Sequence, residues 1–217
     1  FLDFRPVFRN FSSLAYSLGY MAHTWEMFVQ RSWVVVLLVY VAAEAGTDAV
    51  LIPPAYIPFI VGILGTWASV TGNEMAIRTG RQRWVLGTFF ASMIALIAVA
   101  ASSSSGLYLL VAGLCMVHGI LIYADSSALT AGASGNAEPE RRGAQLALHS
   151  MLGYGGGFAG SVVFGVVLDF AGGQSTTGWI AAFASVLLIL CIGPLAIWRL
   201  QPKDMPGDKP WRSSVAK

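Results

Sequence analysis

Side chains able to carry a proton or hold an anion occur in this chain inside long apolar stretches. His23, Glu26 and Arg31 fall in one stretch, His118 and Asp125 in another. On an ideal helix of about 3.6 residues per turn, Tyr16, Tyr20, His23, Glu26, Met27 and Gln30 share one broad face, with Arg31 at its edge. His23 and Glu26 are three residues apart, close enough to share a proton as one unit. Glu26 and Arg31 lie about 140° apart around such a helix, so Arg31 needs another partner: a charge on a different helix, a carbonyl or an anionic solute. Asp125 follows His118 by seven residues, two turns along the same face, or else caps the end of its helix. His149 reads as an interfacial residue that water reaches. Tyr154, in a glycine-rich stretch, completes the candidate pathway. The plainer reading is a polar network holding helices together. The sharper one is solute or proton handling, because ionisable groups inside spans are costly and mark function by default.

The elements that must position these groups follow from the basic residues. Every Lys and Arg except Arg31 falls in one of four segments: Arg5/Arg9, Arg78/Arg81/Arg83, Arg141/Arg142, and Arg199 to Lys217. Between them run six apolar stretches, joined in pairs by linkers near 43–50, 102–106 and 172–177 that carry no Lys or Arg. Cytoplasmic loops keep Lys and Arg while translocated loops are depleted of them. One threading satisfies this pattern, with both ends inside and six crossings. It predicts an all-α polytopic membrane protein in the cytoplasmic (plasma) membrane, its partner the lipid bilayer. The spans are expected at about 14–42, 51–71, 84–101, 107–132, 143–170 and 179–200, with Pro53, Pro54 and Pro58 at the outer start of the second. Residues 1–13 read as the end of a cytoplasmic loop, 14–200 as the transmembrane unit, and 201–217 as a disordered cytoplasmic tail. Trp84, Trp179, Trp198 and Trp211 fall near span boundaries, as an aromatic belt requires. Only 11% of residues are charged and 56% are hydrophobic, against roughly a quarter charged in soluble domains. The net charge of +2 is spread over separate loops and does not point to nucleic acid. Cys115 and Cys191 lie in spans without metal-binding or redox spacing.

The six spans divide into two triplets. The first span of each carries the ionisable residues, while the third of each carries none before Arg199 and is expected to face lipid. An odd-numbered triplet repeats with inverted orientation, a plan found in secondary transporters. In the fifth span, Gly153/Gly157 and Gly156/Gly160 are small-xxx-small pairs, joined by Gly165. Such pairs let helix backbones approach closely. So many glycines predict tight packing or a bending element.

The loop GNEMAIRTGRQR, with Gly80 between Arg78 and Arg81, resembles the signature loop of the major facilitator superfamily, Gly-x-x-x-Asp-Arg-x-Gly-Arg-Arg. Arg78, Gly80 and Arg81 match; Asn73 stands at the first Gly and Ile77 at the Asp. The fifth span is similar to that superfamily's Gly-x-x-x-Gly-Pro-x-x-Gly-Gly helix, with Gly156, Gly160 and Gly165 matching, Ser161 at the Pro and Phe164 at a Gly. PERRG at 139–143 is similar to the Arg-Gly element that precedes it. The resemblance implies the C-terminal six-helix half of a twelve-helix transporter, with Arg78, Gly80 and Arg81 as a gating loop that bridges helices. It also implies a missing N-terminal half, or a second copy, as partner.

The function expected from this reading is transport of a small solute by alternating access. Arg31 permits an anion as substrate and His23/Glu26 permit proton coupling. The start at Phe1, inside a cytoplasmic loop, reads as that of a fragment, with a processed mature protein as the alternative. No cofactor, metal or enzymatic activity is expected: the three histidines lie on three spans without ligand spacing, and no phosphate loop or nucleophile elbow is present. A membrane-embedded enzyme or assembly subunit is the alternative. A channel would need a pore loop or an oligomeric ring, and neither is visible.

Overall fold

The computed structural model describes residues 5–46 and 50–210. The chain start at Phe1, the middle of the first basic-free linker, and Trp211, Arg212 and Lys217 lie outside them. The described residues form helices α1 (Arg5–Arg9), α2 (Phe11–Ala45), α3 (Tyr56–Thr79), α4 (Arg81–Ser102), α5 (Tyr108–Tyr123), α6 (Ser126–Gly135), α7 (Arg142–Phe170), α8 (Thr176–Leu190) and α9 (Ile192–Leu200). A short 3-10 turn, Pro139–Arg141, leads into α7, and no strand occurs among the described residues. α5 with α6, and α8 with α9, each make one broken rod.

Helix ends follow local chemistry. The Asn10 side chain accepts from the Ser13 amide at 3.2 Å and starts α2; Ser175 accepts from the Gly178 amide at 3.1 Å and starts α8. Pro194 lacks an amide hydrogen and crowds the carbonyl of Leu190, where α8 ends. The α5–α6 break at Ala124–Asp125 has no proline or glycine. The Trp84 indole N–H donates to the Ala124 carbonyl at 2.9 Å, and Gly72 of α3 packs directly on that carbonyl. The freed backbone oxygen is thus satisfied within the bundle.

The contacts give helix directions. Along α2 and α7 the contacting residues rise together: Tyr20 on Gly153, Trp25 on Gly160, Trp33 on Gly165. Those two helices are parallel. Along α2 and α5–α6 they run oppositely, from Gln30 donating to the Cys115 carbonyl at 2.9 Å to Ser13 donating to the Ala133 carbonyl at 3.0 Å. The centre is filled by Tyr16, Phe89, Phe164, Tyr108 and Trp179, all buried.

Large apolar side chains also cover the outside. Phe158 is 72% exposed, Leu188 74% and Phe170 90%, a surface that suits hydrocarbon better than water. Five rods are long and apolar enough to cross a membrane: Phe11–Ala45, Arg81–Ser102, Tyr108–Gly135, Pro139–Phe170 and Thr176–Leu200. That supports an integral membrane protein. α3, at the second expected span, is not among the five, because Thr66, Ser69, Thr71, Asn73 and Glu74 dilute its apolar face. The tail also departs from expectation. Residues 201–210 are docked rather than disordered: the Pro202 carbonyl accepts from Gln82 at 2.5 Å, the Lys203 amide donates to the Ser12 hydroxyl at 3.1 Å, and the Lys209 amide donates to the Ile77 carbonyl at 2.9 Å.

Candidate functional site

At about 1.5 Å per residue, Glu26 lies some 22 Å along α2 from Phe11 and some 29 Å from Ala45. It is therefore near the middle of the bundle. Its Oε1 sits 2.8 Å from His118 Nε2 on α5 and accepts a second hydrogen bond, also 2.8 Å, from the Ser92 hydroxyl of α4. One turn away, His23 Nδ1 lies 2.9 Å from Asp125 Oδ1, at the α5–α6 break. No side chain of the four is more than 5% exposed. Placing His23 and Glu26 on one face brought them into the same site but not into contact with each other. Each pairs across the helix interface instead, because the antiparallel neighbour offers a partner at the right height. Asp125 is a partner for His23 and not a side-chain cap of α6.

Each pair is neutral in two ways, as imidazolium with carboxylate or as imidazole with carboxylic acid. Proton transfer within a pair leaves the buried charge unchanged, whereas loss of the shared proton leaves that pair with a net negative charge. A void of about 20 Å³ lined by Glu26, Gln30, Leu96, Cys115, His118 and Val186 adjoins the pair, with room for about one water. On the other side, the Tyr20 ring stacks between His23 at 5.6 Å and His149 at 4.1 Å. His149 is buried, not water-exposed, and its ring nitrogens reach the Ser17 hydroxyl at 3.3 Å and the Thr130 hydroxyl at 3.5 Å.

Arg31 is exposed on the opposite edge of α2. Its Nε donates to the Tyr123 hydroxyl at 3.0 Å and its Nη2 to the same oxygen, and no carboxylate pairs with it among the described residues. Beside it opens a cleft of about 130 Å³ between Gln30, Ile57, Val61, Gly62 and Tyr123. On the same open face Ser32 and Ser161 hydroxyls lie 3.1 Å apart. Tyr154 is 63% exposed on α7 and stands apart from the buried quartet.

The loop arginines divide. Among the described residues Arg78 pairs along its own helix, with Glu74 at 2.8 Å, both largely exposed. Arg81 is buried and bridges elements: it grips Asp208 of the tail in a fork at 2.7 and 2.9 Å, Asn73 Oδ1 at 2.8 Å, and the Ala128 carbonyl at 3.1 Å. Gly80, at φ 100°, keeps the turn narrow enough for the Lys209 carbonyl, which would lie 2.9 Å from any Cβ there.

Five glycines of α7 form one interface. Gly153 meets Tyr20, Gly156 meets Met21, Gly157 meets Phe28, Gly160 meets Trp25 and Gly165 meets Trp33. The Thr24 hydroxyl crosses it to the Gly153 carbonyl at 2.7 Å.

Sequence reasoning missed Ser92, Tyr123 and Asp208. Ser92 carried a usable signal, a hydroxyl in mid-span one turn beyond Thr88. Tyr123 and Asp208 carried none, since their roles depend on contacts 92 and 127 residues away in sequence. No group of three or more His, Cys, Asp and Glu that could hold a metal ion occurs among the described residues. No protein-family model, curated protein or solved structure matches this chain.

Proposed function

We propose that this chain is one half of a secondary active transporter of the major-facilitator type, moving a small solute by alternating access and coupled to protons through the His–carboxylate quartet. The observation that carries the reading is the quartet itself: two buried pairs joining α2 to α5–α6 midway along apolar helices. Such groups are costly in a membrane interior and are kept where ions or substrates move. In the six-span plan, α2 and α5–α6 are the first helices of the two triplets. On both, the His precedes the carboxylate, and because the two run antiparallel each His meets the other's carboxylate. That is the relation an inverted repeat would produce. α3 is the second of the six spans, its polarity tolerable because Ser69 pairs with the Ser127 hydroxyl at 2.5 Å and Asn73 accepts from Arg81 at 2.8 Å. The open face of α2, α3 and α7 is one wall of a central cavity. A matching six-helix half, or a second copy, supplies the other. Both termini are cytoplasmic in this reading.

Coupling works if protonation of the quartet biases one orientation of the halves. Glu26→Gln keeps an oxygen for Ser92 and His118 but removes the titrating group. In proteoliposomes holding the complete transporter, Glu26→Gln should abolish accumulation driven by a pH gradient while solute exchange at equal pH continues. Full pH-driven accumulation in the variant would make the carboxylate structural.

A further inference from the structure

The end of the bundle where the tail docks carries a second, unrelated feature. An open groove of about 550 Å³ runs between α4 and α5, with Thr79, Arg83 and Lys209 at its mouth and Gly87, Ala91 and Leu121 along its length. The two ends differ in chemistry. At the mouth, Arg83 and Lys209 are both exposed, and they lie at the N-terminal end of α4, whose dipole adds positive potential. Along the length there is no side chain at Gly87, where a Cβ would meet nothing within 4 Å, and only a methyl at Ala91 one turn on. Polar groups in the walls are already satisfied. The Thr88 hydroxyl donates to the Trp84 and Val85 carbonyls at 3.0 and 2.9 Å, and the Trp84 indole donates to Ala124.

A cationic mouth leading into a dry furrow on the outside of a membrane helix matches one kind of molecule. We propose that this groove binds an anionic phospholipid, its phosphate on Arg83 and Lys209 and one acyl chain laid along Gly87 and Ala91. From Arg83 to Ala91 the furrow spans about 12 Å of helix, enough to hold the upper part of a chain. Charge complementarity selects the anionic headgroup over a zwitterionic one. Lys209 owes its place to its neighbour: the Arg81–Asp208 fork and the Lys209–Ile77 backbone bond fix the tail against the mouth. The lipid site is therefore built partly by the tail. It needs the membrane setting but not the transport reading.

Native mass spectrometry of the full chain, released from nanodiscs with equal phosphatidylglycerol and phosphatidylcholine, reads this directly. The wild-type chain should retain phosphatidylglycerol selectively. Arg83→Gln with Lys209→Gln should reduce that selectivity by about 25-fold, at roughly a fivefold effect per cation. Gly87→Leu puts a side chain into the furrow without touching the charges, and its Cβ meets nothing within 4 Å, so it should lower retention of both lipids at this site. Asp208→Asn should loosen Lys209 and lower selectivity in the same direction as Lys209→Gln. Equal retention of the two lipids by the wild type would overturn the proposal, as would undiminished selectivity in the double variant. Complete displacement by millimolar inorganic phosphate, with Gly87→Leu inert, would mean a phosphate site and no lipid site.

Discussion

A buried imidazole paired with a carboxylate costs little while the pair stays neutral, and a great deal once one partner is removed. Taking away one member of a buried pair is destabilising by about 3–5 kcal/mol, because the other is left charged or unsatisfied. His118→Ala alone should therefore lower the thermal unfolding midpoint sharply. Combining it with Glu26→Leu should recover much of the loss, since a well-packed apolar substitute for a buried pair is often neutral or better. Additive losses in that double-mutant cycle would mean the two residues do not share a proton or a bond. The candidate residues were legible in the sequence, because an ionisable group inside an apolar stretch stands out. Their pairing was not. Spacing along one helix brings His23 and Glu26 together on a face, but the partner is chosen by the register of the neighbouring helix, which no local rule contains. Arg31 shows the same limit: its partner is the Tyr123 hydroxyl and not a charge.

At the scale of elements, the contact between α2 and α7 rests on the absence of side chains. In lipid there is no hydrophobic drive between helices, so close packing and hydrogen bonds across the interface must hold them. Gly157 lets the Phe28 ring approach to about 2.8 Å from where a Cβ would stand. Gly157→Leu should cost roughly 1–3 kcal/mol or more by overpacking and should separate the two helices. Gly155, on the other side of α7, has nothing within 4 Å, so Gly155→Ala should be neutral or stabilise by up to about 1 kcal/mol. Unfolding midpoints in detergent compare the two; equal effects would remove the packing role. The rods themselves were readable from apolar length and the spacing of basic loops. The α8–α9 break carried Pro194 as its sign. The α5–α6 break had none, since it is imposed from outside by Trp84 and Gly72.

For the molecule as a whole, the arrangement of basic segments makes a directional statement. Single cysteines at Ser104 and at Lys209, in a background lacking Cys115 and Cys191, should react with an impermeant reagent from opposite sides of the membrane. Labelling of both from outside intact cells would sink the six-crossing plan. The ordered tail adds a stability expectation. Asp208→Asn leaves the Arg81 guanidinium buried without its counter-charge and should cost on the order of 3–5 kcal/mol. Arg78→Ala breaks only an exposed pair within one helix, and the cost should stay near 0.3–0.5 kcal/mol.

The Arg81–Asp208 fork also sets an order of assembly during synthesis. Its partners are 127 residues apart, so at about 5–20 residues per second Asp208 follows Arg81 out of the ribosome by roughly 6–25 s. Throughout that interval Arg81 has Asn73 and the Ala128 carbonyl as partners to hand but not this carboxylate, so the fork that fixes residues 201–210 against the α3–α4 turn forms only once the far segment has been made.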